Sequence, residues 1–270
     1  MALRATFLTL FPESLGPILQ SSILGRGQKA GLLAVDTIDL RDFSTNKHRT
    51  VDDSPAGGGP GMILRVDVVA GALAALRKRD PAVHVVGVDA RGAPFQQRDA
   101  RRLAQHAHVA FLCGRYEGVD ARAFALCDEL LSLGDFVLTG GELPALAMFD
   151  AAARLVPGVL GNDASAQSES FAAVLLEERQ YTRPVVFEGR AVPPVLLSGN
   201  HKDIAKARRK DALVLTARLR PDLFTARDKR KSDDKLLADE RVPILEPAAA
   251  PKGDATGHAG DDAGEGEGAS

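Results

Sequence analysis

Two short apolar runs, residues 109–113 and 130–133, each break off into glycine-rich sequence. This repeated pattern restricts the possible folds more than any other feature of the chain. The first run opens into Gly114-Arg115-Tyr116-Glu117-Gly118, the second into Gly134-Asp135-Phe136-Val137-Leu138-Thr139-Gly140-Gly141. Glycine directly after a buried strand lets the main chain turn at positive φ and lets a ligand come close to backbone N–H and C=O groups. One such loop is as readily an ordinary turn. Two of them, one carrying Arg115 and Glu117 and the other ending in paired glycines before a helix, favour a pocket built largely from backbone.

The hydrophobic periods around these loops predict strands over residues 5–10, 32–40 and 83–88, with a further buried strand at 109–113. They predict helices over 13–24, 66–79, 98–106 and 142–156, the last with Pro144 in its first turn, where a missing N–H costs little. Residues 41–61 have no apolar period and read as a long loop. Strand and helix in alternation imply an α/β domain with a parallel sheet, ending near Val156. From 157 to 194 the period fails, and Gly158, Gly161, Pro184, Pro193 and Pro194 punctuate a linker. Residues 203–219 and 233–241 read as helices of a small C-terminal domain. The expected organisation is therefore a first domain over 1–160, a linker over 161–199, a basic helical domain over 200–246 and a disordered acidic tail over 247–270.

A net charge of −2 over 270 residues argues by itself against a nucleic-acid partner, but the average conceals an asymmetry. The tail holds Asp254, Asp261, Asp262, Glu265 and Glu267, whereas the segment from His201 to Lys231 is strongly basic, with Lys202, Lys206, Arg208, Arg209, Lys210, Arg218, Arg220, Arg227, Lys229 and Arg230. A solvated helix face is the commoner meaning of a charge run; the local excess here favours contact with a phosphate backbone. The apolar start, residues 1–11, is too short for a membrane span and has no cleavage region, so it reads as an opening strand. Cys113 and Cys127 offer neither metal-ligand spacing nor a disulfide framework, which suits a reducing cytoplasm.

The long loop joins Lys47-His48-Arg49-Thr50-Val51-Asp52-Asp53 to Gly57-Gly58-Gly59-Pro60-Gly61-Met62. No Gly-Lys-Ser/Thr follows, so it is not a P-loop. The G-x-G-x-x-G spacing also fails, which weighs against a Rossmann dehydrogenase or methyltransferase. What remains is a polar loop able to close over an anion, with His48 and Arg49 as donors; His48 is given no catalytic role.

HRTVDD with GGGPGM, then CGRYEG, GDFVLTGGELPA, PGVLGN, YTRP and PPVLLSGNH occur together and in this order. In this the chain resembles the bacterial tRNA (guanine-N1)-methyltransferase family, the TrmD type, over roughly residues 5–220. The resemblance implies a SPOUT-class α/β domain tied in a deep trefoil knot, a feature too rare to be read from any sequence pattern. It implies S-adenosyl-L-methionine bound in a bent shape on Gly114 and on the backbone of Leu133, Gly134, Asp135, Phe136, Val137 and Leu138, with Gly140 and Gly141 lining the same pocket. It further implies an obligate homodimer with shared active sites, methylation of guanosine 37 in tRNAs with guanosine at 36, and an assisting Mg2+ ion at no assigned site.

For the chemistry, a base must take the proton from guanine N1 and a cation must stabilise charge developing on O6. By resemblance Arg154 is the cation. The family's aspartate falls on Glu169, one methylene longer, with Asp163 as a fallback. The tRNA-facing positions are His48, Arg49, Asp52, Gly58, Gly59, Tyr181, Arg183, His201, Arg208 and Arg209, with the linker ordering on tRNA. A second departure from the family lies at residues 86–92, where Gly87 and Asp89 leave the adenine contacts open and Gly92 is family-like. Two other readings stand beside the enzyme: a binding module silenced at Glu169, and a SPOUT methyltransferase acting on another RNA atom, which Arg154 and the YTRP linker weaken.

Overall fold

The computed structural model describes residues 2–161, 170–171 and 174–249, and the chain divides into two compact units, Met1–Ala172 and Ala173–Ser270. The first unit is built on five parallel strands: β1 (Leu3–Thr9), β2 (Leu33–Asp39), β3 (His84–Pro94), β4 (His108–Cys113) and β5 (Glu129–Ser132), in the spatial order β2-β1-β4-β3-β5. The connecting helices are α1 (Ser22–Lys29), α2 (Val66–Arg79), α3 (Gln97–Leu103) and α4 (Glu142–Ala153). A parallel sheet needs both faces covered, and the strands show it: β4, at the centre, is buried at every position.

Side-chain alternation sorts the core. Leu3, Ala5, Phe7, Val109 and Phe111 face one side, where Met148 and Phe149 of α4 cover them. Leu8, Leu10, Ala110 and Leu112 face the other, packed with Val68, Val69 and Leu73 of α2. Phe7 stacks on Phe111 at 5.4 Å and meets the edge of Phe149 at 5.8 Å between ring centroids. The polar side chains inside this sheet are paired: the Thr6 hydroxyl lies 2.8 Å from His108 Nε2, and His108 Nδ1 lies 2.8 Å from Asp80.

The helix expected over 13–24 is instead a 3-10 turn (Pro12–Ser14), a one-turn helix (Gly16–Leu19) and then α1. Ser22 takes φ +47° at the break, and Gly25 packs so tightly on Gln20 that a Cβ would sit 2.1 Å from its carbonyl oxygen. Local apolar period survives this break, so the sequence pattern does not reveal it. The strand expected to end at 88 runs on to Pro94, with a register shift between Val88 and Ala93 where it pairs with β5. Nor is the 41–61 loop featureless. It begins as a 3-10 turn (Leu40–Phe43), and Asp52–Asp53 pairs antiparallel with Ile63–Leu64, closing the glycine run into a short excursion.

In the second unit, α5 (His201–Leu219), α6 (Pro221–Ala226) and α7 (Lys231–Ala238) form the helical part. Asn200 starts α5 two residues before the expected position, its side chain accepting from Lys202 N at 3.2 Å. Asp211, with no solvent exposure, accepts bonds from the Arg179 guanidinium, Arg179 N (2.9 Å) and Leu245 N (3.0 Å). The buried Lys210 ammonium donates to the carbonyls of Asp239 (2.8 Å) and Val242 (3.0 Å), holding the chain that leaves α7 at Ala238 rather than at 241. Within the stretch expected to be a linker, Val186–Phe187 and Arg190–Ala191 form a hairpin and Pro194–Leu197 a helical turn. Ala248–Ala249, the first strand-forming residues of the expected tail, add to that hairpin as a third strand. Among the described residues no helix is long and apolar enough to cross a membrane.

Candidate active site

The C-terminal ends of β3, β4 and β5 surround one cleft, lined by Val88, Asp89 and Ala90, by residues 114–118, and by Ser132, Leu133, Gly134, residues 136–141 and Pro144. That edge is where open parallel sheets bind ligands, because the strands there release their main chain into loops. The two glycine loops foreseen from sequence therefore do converge. They are also joined: Gly141 N donates to Gly114 O at 2.8 Å, and Arg115 bridges Gly140. Gly141 lies so close to β4 that a Cβ there would be 2.8 Å from both Cys113 Cα and Gly114 N. Only glycine allows this approach.

Of the expected cofactor positions, Gly114, Leu133, Gly134, Phe136, Val137, Leu138, Gly140 and Gly141 line the cleft, while Asp135 is exposed beside it. Phe136 and Val137 are 55% and 90% exposed, an apolar rim over a main-chain wall. Val88, Asp89 and Ala90 line the wall where the sequence departs from the family pattern, and packing explains Gly87: a Cβ would lie 2.4 Å from the Leu130 side chain. Burial works against the Asp89 charge, yet hydrogen bonds from the Arg91 guanidinium and amide outweigh it and hold that carboxyl below its usual range. Beneath the cleft, burial pushes the Cys113 thiol well up, so it stays protonated and inert.

Behind the cleft lies a polar network that no period marks. Arg115 Nε meets Glu142 Oε2 at 3.0 Å, and its Nη1 donates to Thr139 O at 3.3 Å. The Thr9 hydroxyl donates to Glu142 Oε1 at 2.6 Å. Of this network the sequence pointed only to Arg115, in the first glycine loop; Glu142, an acid opening a helix directly after Gly140-Gly141, was missed.

The loop residues lie as follows. Glu117 N donates to Met62 O at 3.0 Å, so the glycine excursion leans on the 114–118 loop. Gly58 and Gly59 sit at its exposed tip with φ of +81° and +126°. Asp52 is held in the short pairing with Leu64, and His48 is exposed. Arg49 is engaged by Asp42 and, at 3.6 Å, by Asp39, so its cation is less available than the sequence suggests.

Arg154 is not at this cleft. It caps the far end of α4, and with a rise of ~1.5 Å per residue it stands about 18 Å along the axis from the glycine end. Glu169 and Asp163 lie outside the described residues. In the second unit, the Tyr181 hydroxyl donates to Leu245 O at 2.6 Å, Arg183 is exposed, and His201 is exposed in the first turn of α5. Arg208 lies 3.4 Å from Glu178, and Arg209 grips Asp233 through two bonds of 3.1 and 2.7 Å.

Comparison with known proteins gives one consistent result. The profile of the family described as tRNA (Guanine-1)-methyltransferase TrmD matches residues 3–226. A protein of Anaeromyxobacter sp. (strain K) named tRNA (guanine-N(1)-)-methyltransferase is 52% identical over 237 residues, 87% of this chain and 96% of its own length. Proteins of the same name from Magnetococcus marinus and Myxococcus xanthus are 53% and 51% identical, covering 82% and 86% of this chain and 89% and 94% of their own lengths. The matched region contains the whole parallel sheet, both glycine loops and the helix that carries Arg154, and the chain belongs to the tRNA (guanine-1)-methyltransferase TrmD family.

Proposed function

We propose that this chain transfers a methyl group from S-adenosylmethionine to N1 of guanosine 37 in tRNAs that carry guanosine at position 36. One observation carries this: two glycine loops, both inside the family match, form a single main-chain-lined cleft at the C-terminal edge of a parallel sheet. The residues present suit the cofactor, since an apolar rim of Phe136, Val137 and Leu138 over exposed main chain offers both a face for adenine and polar groups for its edge. When bound, the cofactor supplies an electrophilic methyl group on a sulfonium centre. On this proposal the loops belong to a deep trefoil knot in a SPOUT-class domain.

The chain's own chemistry follows from guanine. N1 carries a proton and becomes nucleophilic when a carboxylate removes it; Glu169 takes that proton. Negative charge then spreads to O6, where the Arg154 guanidinium stabilises it. Arg154 stands about 15 Å along α4 from Pro144, the nearest cleft residue of that helix, which supports a homodimer in which each active site draws residues from both copies. The basic helices contact tRNA phosphates, and Tyr181 and Arg183 belong to the linker that orders on tRNA. Among the described residues no group of three or more His, Cys, Asp or Glu side chains is arranged to hold a metal, so these residues define no Mg2+ site and no step is assigned to one.

The test is methyl transfer from labelled S-adenosylmethionine to a tRNA transcript with guanosines at 36 and 37. Glu169→Gln is expected to lose on the order of a hundredfold to ten-thousandfold in rate, and Asp163→Asn to keep it. A rise in Glu169→Asp would mean that the longer side chain is a compromise. No transfer by the wild type, with cofactor and tRNA both bound, would overturn the proposal.

A further inference from the structure

We propose that Glu142, which the methyl-transfer chemistry does not use, is a positioning residue that holds the two cofactor loops in register through Arg115. This rests on the cofactor cleft proposed above. Glu142 is only 4% exposed and sits in the first turn of α4, where the helix dipole favours its negative charge. Each of its oxygens has a partner from a different part of the chain. Oε1 accepts from Thr9 at the end of β1, at 2.6 Å, and Oε2 from Arg115 after β4, at 3.0 Å. Thr9 in turn accepts from Phe11 N at 2.9 Å, and the Arg115 guanidinium lies 4.4 Å from the centre of the Phe11 ring. Arg115 then reaches Thr139 O, on the loop that follows β5.

One carboxylate thus ties together the chain leaving three strands of the sheet at the edge where the cofactor would sit. The glycines obey the same arrangement. A Cβ on Gly140 would lie 2.4 Å from Arg115 Nε and 2.5 Å from Glu142 Oε2, so the ion pair fills the space that any side chain would need. Burying an ion pair is costly, and an apolar replacement of equal volume is often as stable. Stability alone therefore explains the arrangement poorly, whereas fixing main-chain groups that bind a ligand needs a directional tie.

The experiment measures S-adenosylhomocysteine binding by calorimetry without tRNA, and KM and kcat for methyl transfer, on the full chain. Glu142→Gln keeps the volume and removes the charge. It is expected to weaken binding about tenfold, the worth of a charged hydrogen bond. KM for the cofactor should rise by a similar factor while kcat at saturation stays within about twofold. Arg115→Met should weaken S-adenosylhomocysteine binding by at least the same factor, and the double variant should bind no worse than Arg115→Met alone, since Glu142 acts through that tie. Glu142→Gln that is folded at 25 °C and binds as tightly as wild type would overturn the inference and leave the cofactor site standing. Should Glu142→Gln fail to fold, Thr9→Val takes its place: about threefold weaker binding supports the inference, and unchanged affinity overturns it. Failure of the wild type itself to bind S-adenosylhomocysteine would overturn the cofactor reading and this inference with it.

Discussion

The cleft of the first unit and the basic stretch of the second handle charge in opposite ways. Around the cleft, much of the charge is engaged within the chain: Arg115 meets the buried Glu142 behind it and Asp89 is held by Arg91, and main chain and an apolar rim form much of the lining. In the second unit charge is abundant, but much of it is already engaged. Arg209 is held by Asp233, Arg208 by Glu178, Arg220 by Asp222, and Lys210 by two carbonyls. Among the described residues Lys202, Arg218, Lys229, Arg230 and Lys231 have no salt bridge within 4 Å. A site made of backbone gains specificity from exact spacing of groups that cannot titrate. A site made of residual surface charge gains affinity that salt can screen.

The comparison breaks most decisively at Gly141. Gly141→Ala forces main chain apart at a 2.8 Å contact, and a displacement near 1 Å is expected to lower single-turnover methyl transfer on the order of a hundredfold. A rate near wild type would mean that main-chain register does not set the site. Next comes Asp211, the fully buried acid of the second unit's described residues. Asp211→Ala leaves two amides without their acceptor and the Arg179 guanidinium with only Glu246 at 3.3 Å, and unfolding in urea should show a loss of about 3 kcal/mol. A loss under ~1 kcal/mol would make that unit's charges surface-like throughout.

A smaller effect separates engaged from unengaged cations. Lys229→Ala is expected to weaken tRNA binding about threefold to fivefold and to reduce the salt slope by ~0.9. Arg209→Ala is expected to lower thermal stability more than affinity, because Asp233 loses its partner. Equal affinity losses would erase the distinction. The smallest effect is a surface control in the first unit. Hydrogen bonds from the Arg122 side chain and amide hold the Asp120 carboxyl down at about 2. Its pKa is lower folded than unfolded, so its contribution is complete above the unfolded value near ~4 and disappears as pH falls toward 2. Arg122 is 76% exposed, so solvent screening limits this to about 0.5 kcal/mol. Urea midpoints of wild type and Asp120→Asn compared at pH 6 and pH 2.5 measure it.

Much of this molecule is legible from one dimension. Strands β1 and β4, covered on both faces, show as short apolar runs, and β2, helix α2 and the helix opening at Glu142 show in the spacing of their apolar residues, all within a window of a dozen residues. The glycine loops were legible for the same reason, since each follows its strand directly. Other features were not. The break between Gln20 and Ser22 keeps the apolar period intact, and the bulge after Val88 depends on Leu131 of the neighbouring strand. The proposed base Glu169 and its fallback Asp163 were reached only by family resemblance, and they lie outside the described residues.

By itself the sequence determined which segments become strands, which glycines follow them and how much charge each region carries, because those are local properties of composition and period. The tertiary structure alone decided which groups meet. Strand order β2-β1-β4-β3-β5 brings Thr9 to Glu142 across 133 residues and Arg115 to Glu142 across 27. Hydrogen bonds and ion pairs act over about 3 Å whatever the separation along the chain, so their partners are set by packing order and leave no period in the sequence.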